Sequence, residues 1–129
     1  MQQVVVEGAT IQCNHGGIAR LPSGDNRLQV SNKSAVTAGQ EVNISFEKGT
    51  PNVVVPCPHL NKQISPPTLS PCTATVAATD GVSTLLVIGG AGVLLNNATG
   101  KTINADPAEQ ALLKWTVVDA GQTLLSVDN

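Results

Sequence analysis

Apolar residues in this chain fall in short runs at 4–6, 9–12, 28–30, 42–46, 53–55, 73–76, 84–88, 93–95, 115–118 and 124–127. Turn formers separate them: Gly16-Gly17, Pro22-Ser23-Gly24-Asp25-Asn26, Lys48-Gly49-Thr50-Pro51-Asn52, Asp80-Gly81, Gly89-Gly90 and Asn96-Asn97. Short β-prone runs at this spacing predict an all-β domain of hairpins. A faint repeat supports it: the turn–strand–turn–strand unit that starts at Ser23 returns at Asp80. One segment breaks the pattern. Asp106 can cap a helix, Pro107 suits its first position and Glu109 falls where a capping box needs it, so a short helix of about two turns is expected there. The remainder, 115–127, reads as a hairpin around Ala120-Gly121-Gln122.

Composition sharpens this picture. A chain of 129 residues fits a single domain. Charged residues make up 12%, about half the usual share, and Phe46 and Trp115 are the only aromatics besides histidine. Twelve Gly and eight Pro supply sharp corners between Val-, Leu-, Ala- and Ile-rich strands. The net charge of −2, with scattered basic residues, gives no stripe for phosphates and no stacking platform, so nucleic acid is not an expected partner. The first residues lack a charged stretch followed by an apolar one, which argues against a signal peptide and for synthesis in the cytoplasm. The apolar stretch 85–95 is too short, and too broken by Gly89, Gly90 and Gly92, to cross a bilayer as a helix.

The candidate chemistry lies in three clusters: Cys13-Asn14-His15, Cys57-Pro58-His59 and Cys72. They contain every cysteine and histidine of the chain. Three cysteines cannot all pair with one another, and a reducing compartment disfavours disulfides. In an extended backbone, residues i and i+2 face the same side, so each Cys-x-His pair can aim two donors at one centre. Thiolate and imidazole together suit zinc, with iron as the alternative, and four such ligands close a structural site. Five candidates compete for about four places. Cys57, His59 and Cys72 rank first; Cys13 and His15 compete for the fourth place. The clusters hold no Asp or Glu, and the nearest in sequence is Glu7, so a general acid or base for catalysis is missing. A Cys–His nucleophile would also lack a third, orienting group. The expectation is a structural metal and no enzyme. The ligands bracket the Pro-rich segment 56–71, which has few backbone donors and needs something to hold it.

Gly8-Ala9-Thr10-Ile11-Gln12-Cys13, His15-Gly16-Gly17, Ser23-Gly24 leading to Leu28-Gln29-Val30, Cys57-Pro58-His59-Leu60 and Pro71-Cys72-Thr73 occur in an order that resembles the PAAR and PAAR-like spike-tip proteins. Those proteins belong to contractile injection machines: type VI secretion systems, extracellular injection particles and contractile phage tails. The resemblance covers roughly residues 1–100, including a unit at 83–93 similar to the family's repeat. It implies a small cone of β-hairpins with pseudo-threefold symmetry and a metal near the vertex. Within the choice between Cys13 and His15, it favours His15. The family commonly uses three His and one Cys, whereas this chain offers two His and three Cys. It further implies one tip per trimeric central spike, transient contact with a target membrane, recruited effector or cargo proteins, and assembly into a particle. An apolar base docked on the spike would then draw on Val4, Val6 and Leu95. Residues 101–129, with the helix and the hairpin, would be an extension of the metal-pinned part.

Overall fold

The computed structural model describes residues 1–128. The chain is nearly all β, in small antiparallel sheets. Twelve strands follow in order: β1 Gln2–Gln3, β2 Thr10–Cys13, β3 Ile18–Arg20, β4 Asp25–Val30, β5 Lys33–Ala35, β6 Val53–Val55, β7 Leu60–Asn61, β8 Thr68–Leu69, β9 Ala74–Ile88, β10 Ala91–Ile103, β11 Trp115–Asp119 and β12 Ser126–Val127. Six of them form the central sheet in the order β6-β3-β2-β11-β10-β9. The other three pairs are β4 with β5, β7 with β8, and β1 with β12, the first strand with the last.

Local turn chemistry closes two of the hairpins. Ser31 and Asn32 join β4 to β5 with φ of 53° and 65°, and Gly89 and Gly90 join β9 to β10 with φ of 60° and 86°. Two consecutive positive φ values give the turn whose twist matches paired strands.

Residues 4–6 run between two apolar clusters. Successive side chains of an extended chain point to opposite sides. Val5 accordingly enters the larger cluster with Ile11, Phe46, Leu94 and Trp115, while Val4 enters the smaller one with Ala35, Val93 and Leu95. Val4, Val6 and Leu95 are at most 1% exposed, so they cannot form the apolar docking base that the resemblance suggested. Val4 and Leu95 fill the smaller cluster instead, and Val6 bridges to Ala35 of that cluster.

Several boundaries differ from the expected ones. The runs at 73–76 and 84–88 fuse into the single 15-residue strand β9, because Asp80-Gly81 is absorbed as an irregularity in the ladder rather than used as a turn. A Cβ on Gly81 would lie 2.3 Å from Ala98 Cα, so glycine permits this close crossing. Asn96-Asn97 likewise lies inside β10. The run 42–46 is not a strand. Asn43 takes a φ of 59°, and its neighbours bond irregularly: Asn43 N–H to Thr75 O, Ile44 N–H to Thr75 Oγ1 and Phe46 N–H to Cys72 O.

The C-terminal quarter is corrected most. The two-turn helix is a single 3-10 turn, Pro107–Glu109, capped as expected by Asp106, whose carboxylate accepts from Ala108 N–H. It stops because the chain must be extended again by Lys114, whose carbonyl accepts from Asn14 N–H, so that Trp115 can pair with Cys13. Strands β11 and β12 do not form a hairpin with each other. β11 lies between β2 and β10, and β12 pairs with β1. Residues 101–128 are therefore woven into the sheet, with Trp115 fully buried, rather than appended to it.

Candidate metal centre

Three segments converge on one point. Cys13 ends β2, and a tight turn follows: Gly16 N–H bonds Cys13 O at 3.0 Å and Cys13 N–H bonds Gly17 O at 2.9 Å. That turn carries His15. Cys57 follows β6, and Cys72 precedes β9. The backbone of Phe46 clips these last two segments together: its carbonyl accepts from Cys57 N–H at 2.8 Å and its N–H donates to Cys72 O at 3.0 Å. The Phe46 ring is fully buried in the core, which anchors the clip.

Cys13, His15, Cys57 and Cys72 each bring one donor atom into a group whose members all lie within 4.8 Å of one another. His15 Nδ1 is 3.7 Å from Cys57 Sγ and 3.6 Å from Cys72 Sγ. The edges of a tetrahedron with metal–ligand bonds of about 2.1 and 2.3 Å are about 3.4 to 3.8 Å, and both of these separations fall in that range. All three cysteines are free thiols, and each is at most 2% exposed. Gly17 N–H donates to Cys13 Sγ at 3.2 Å, as suits a sulfur that carries negative charge. The three sulfurs also govern one another. Hydrogen bonds with Cys13 and then Cys72 pull the Cys57 thiol far below its ordinary value, while contacts with Cys13 and then Cys57 push Cys72 up. Cys13 is held up chiefly by its bond to Cys57. Like charges this close repel, so three buried thiols could all ionise only around a cation. Four donors of thiolate and imidazole type could therefore hold a metal ion, and the residues present fit one.

His59 stands beside this set rather than in it. Its ring stacks on that of His15, and its Nε2 lies 2.7 Å from Asp106 Oδ2. Asp106 is nearly buried, and its bond to His59 holds its carboxyl below the ordinary value, helped by Ala108 N–H. Glu109 reaches both rings: Oε2 is 3.5 Å from His15 Nε2 and Oε1 is 3.7 Å from His59 Nε2. His15, His59 and Glu109 form a second group whose donor atoms lie within 4.8 Å of one another. This group borders an open pocket of about 570 Å³, lined also by Pro58, Leu60 and Asp106.

The two carboxylates are what sequence spacing missed. Asp106 and Glu109 lie far from either Cys-x-His pair in sequence, and the 3-10 turn delivers them. The capping signal at Asp106 accounts for only one of its oxygens, which accepts from Ala108 N–H at 3.0 Å; the other faces His59.

The Pro-rich segment is held on two fronts. Strands β7 and β8 pair within it, Leu60 with Leu69 and Asn61 with Thr68, and Ser70 N–H bonds His59 O at 2.8 Å. Cys57 and Cys72 pin its two ends to the centre. Comparison with protein-family models, with curated proteins and with solved structures finds no match to this chain. Among the described residues, no helix is long and apolar enough to cross a membrane.

Proposed function

We propose that this protein is a rigid, metal-stapled spike tip: it caps the trimeric central spike of a contractile injection apparatus, one tip per trimer, and is driven through a target membrane on contraction. The observation that supports this reading most is the buried convergence of Cys13, His15, Cys57 and Cys72. The set joins the first hairpin, the two ends of the Pro-rich segment and the start of the longest strand. A site closed by four protein donors holds shape and leaves no open position for a substrate. The proposed occupant is one zinc ion, since three sulfurs and one imidazole match its preferences; iron is the alternative. The role is structural rather than enzymatic. Stiffness, and not turnover, is what a piercing tip needs, and the order of motifs from Gly8 to Thr73 adds the resemblance to PAAR-like tips. On this reading the protein is made in the cytoplasm and leaves it as part of the particle.

The test has two arms. Metal analysis of purified protein should find one tightly bound zinc or iron in the thiolate site, and light scattering should find a 1:3 complex with a trimeric β-helical spike protein. Protein without metal, whose melting temperature ignores chelators, would sink the staple. A metal-bound protein that never associates with the trimer would sink the spike-tip role.

A second reading is a zinc-stabilised adaptor that recruits an effector or cargo. One observation favours it. The outermost strand β9 exposes Leu85 and Val87, at 70% and 49%, as an apolar patch that a cargo could cover. Binding of cargo without binding of a spike trimer would mark this case.

A further inference from the structure

We propose that Glu109 is a positioning residue for the metal staple: its carboxylate accepts from the outer N–H of His15 and so fixes the tautomer and the aim of the one imidazole in the thiol set. This role presupposes the metal-staple reading above and adds the C-terminal 3-10 turn to the site. His15 Nδ1 lies 3.7 Å from Cys57 Sγ and 3.6 Å from Cys72 Sγ, so it is the ring atom that faces the shared centre. A ring that gives Nδ1 to a metal keeps its one proton on Nε2, and that N–H needs an acceptor. Glu109 Oε2 lies 3.5 Å from Nε2. A shift of a few tenths of an ångström closes this contact to a charge-assisted hydrogen bond. The Asn14 amide nitrogen is 3.4 Å from the same ring atom, but a donor cannot serve an N–H.

The surroundings of Glu109 leave it this task. Its side chain is 23% exposed, and among the described residues its ion-pair contacts are the two histidine rings. His59 Nε2 is already engaged with Asp106 Oδ2 at 2.7 Å and stands 3.7 Å from Glu109 Oε1, so His15 holds the N–H that is left. A partly buried carboxylate without such a donor is costly. The turn that carries Glu109 is braced on several sides. Asp106 N–H donates to Asn104 Oδ1 at 2.9 Å, Ala108 N–H donates to Asp106 Oδ1 at 3.0 Å, and the Gln110 side chain donates to the carbonyls of Asn104 and Asp106. Leu112 N–H then closes on Glu109 O at 2.9 Å. A rigid base of this kind suits a residue that must hold another in place. The His15 ring is thus held on its face by the stacked His59 and at its edge by Glu109.

Metal-free, full-length protein titrated with cobalt(II), read by absorbance and by competition with a chelator of known affinity, tests this. Wild type should bind one ion and show a thiolate-to-cobalt charge-transfer band. Glu109→Ala should bind it about tenfold to a hundredfold more weakly. At saturation its charge-transfer band should be intact, because the thiolates are unchanged, while the visible d–d bands move, because His15 donates less strongly. Glu109→Gln keeps an oxygen acceptor without the charge and should recover part of the affinity. Asn14→Ala should bind as wild type does. Wild-type affinity with unmoved d–d bands in both Glu109 variants would overturn the proposal, whatever Asn14→Ala does. A wild-type protein that binds no cobalt, or binds it without the charge-transfer band, would instead overturn the staple itself, and this role of Glu109 with it.

Discussion

His15 and His59 stack with ring centroids 4.1 Å apart and planes 17° from parallel. One ring points a nitrogen at the cysteines and the other points a nitrogen at Asp106. The stack thus joins a sulfur-rich side to a carboxylate side through two side chains 44 positions apart in sequence (59 − 15).

Loss of a thiol should be felt as loss of metal and of stability together. Free metal at about 1,000 times its dissociation constant stabilises the folded state by about 4 kcal/mol. Cys57→Ser should abolish tight binding and lower the melting temperature by about 15 °C. Calorimetry of the wild-type protein with and without a strong chelator should show a shift of the same size. The Cys57→Ser protein should then be insensitive to the chelator.

Gly17 is fixed by contact rather than by backbone angle. A Cβ there would lie 2.9 Å from Cys57 Cα and 3.0 Å from Cys13 Sγ, and neither the backbone nor the buried sulfur has room to retreat. Gly17→Ala should cost about 1–3 kcal/mol in urea unfolding and weaken metal binding. Gly39→Ala makes a useful contrast. No atom lies within 4 Å of its Cβ, but its φ of 104° strains any side chain, so it should destabilise without touching metal affinity.

Glu41 is fully buried and spends its carboxylate on backbone donors, Gly39 N–H at 2.6 Å and Ala78 N–H at 2.9 Å. It ties the irregular 38–47 region to β9. Glu41→Ala would leave both donors without a partner, at about 1–3 kcal/mol each. Glu41→Gln keeps one acceptor oxygen and should lose clearly less. Hydrogen exchange should show the Ala78 amide losing protection first.

Asp106 makes stability depend on pH in a stated direction. Its folded carboxyl titrates below the ordinary value of 3.8 because His59 binds it. The stabilisation is therefore complete above that ordinary value and is lost as pH falls through the lower, folded one. Urea midpoints measured between pH 6 and pH 2 should fall less steeply for Asp106→Asn than for wild type below about pH 4. Parallel curves would show that the contact carries no differential stability.

The all-β class was legible because short β-prone runs alternate with turn formers, and Ser31-Asn32 and Gly89-Gly90 turn strands as local chemistry allows. Local chemistry did not reveal when a turn signal would be overridden. Asp80-Gly81 and Asn96-Asn97 stay within a long ladder because the opposing strand approaches too closely for a turn to leave it. The helix signal at 106–113 was sound for its first residues and failed at its end, where the pairing of Trp115 with Cys13 takes the chain back into the sheet. In the site, Cys13 and His15 do meet at one centre, but a tight turn after β2 brings them there, not the extended backbone that the i, i+2 argument assumed. At Cys57 and His59 it met an irregular backbone with a carboxylate waiting on the other side. Asp106 lies 47 positions from His59, and no spacing rule reaches that far.

The pairing of β1 with β12 has a practical consequence. Gln2 aligns with Val127, and Gln3 with Ser126. A label, linker or partner domain attached at one end would emerge beside anything attached at the other. Two fluorophores placed there would report a single short distance, and that distance would lengthen as soon as this outermost ladder opened, even with the sulfur-lined centre still closed.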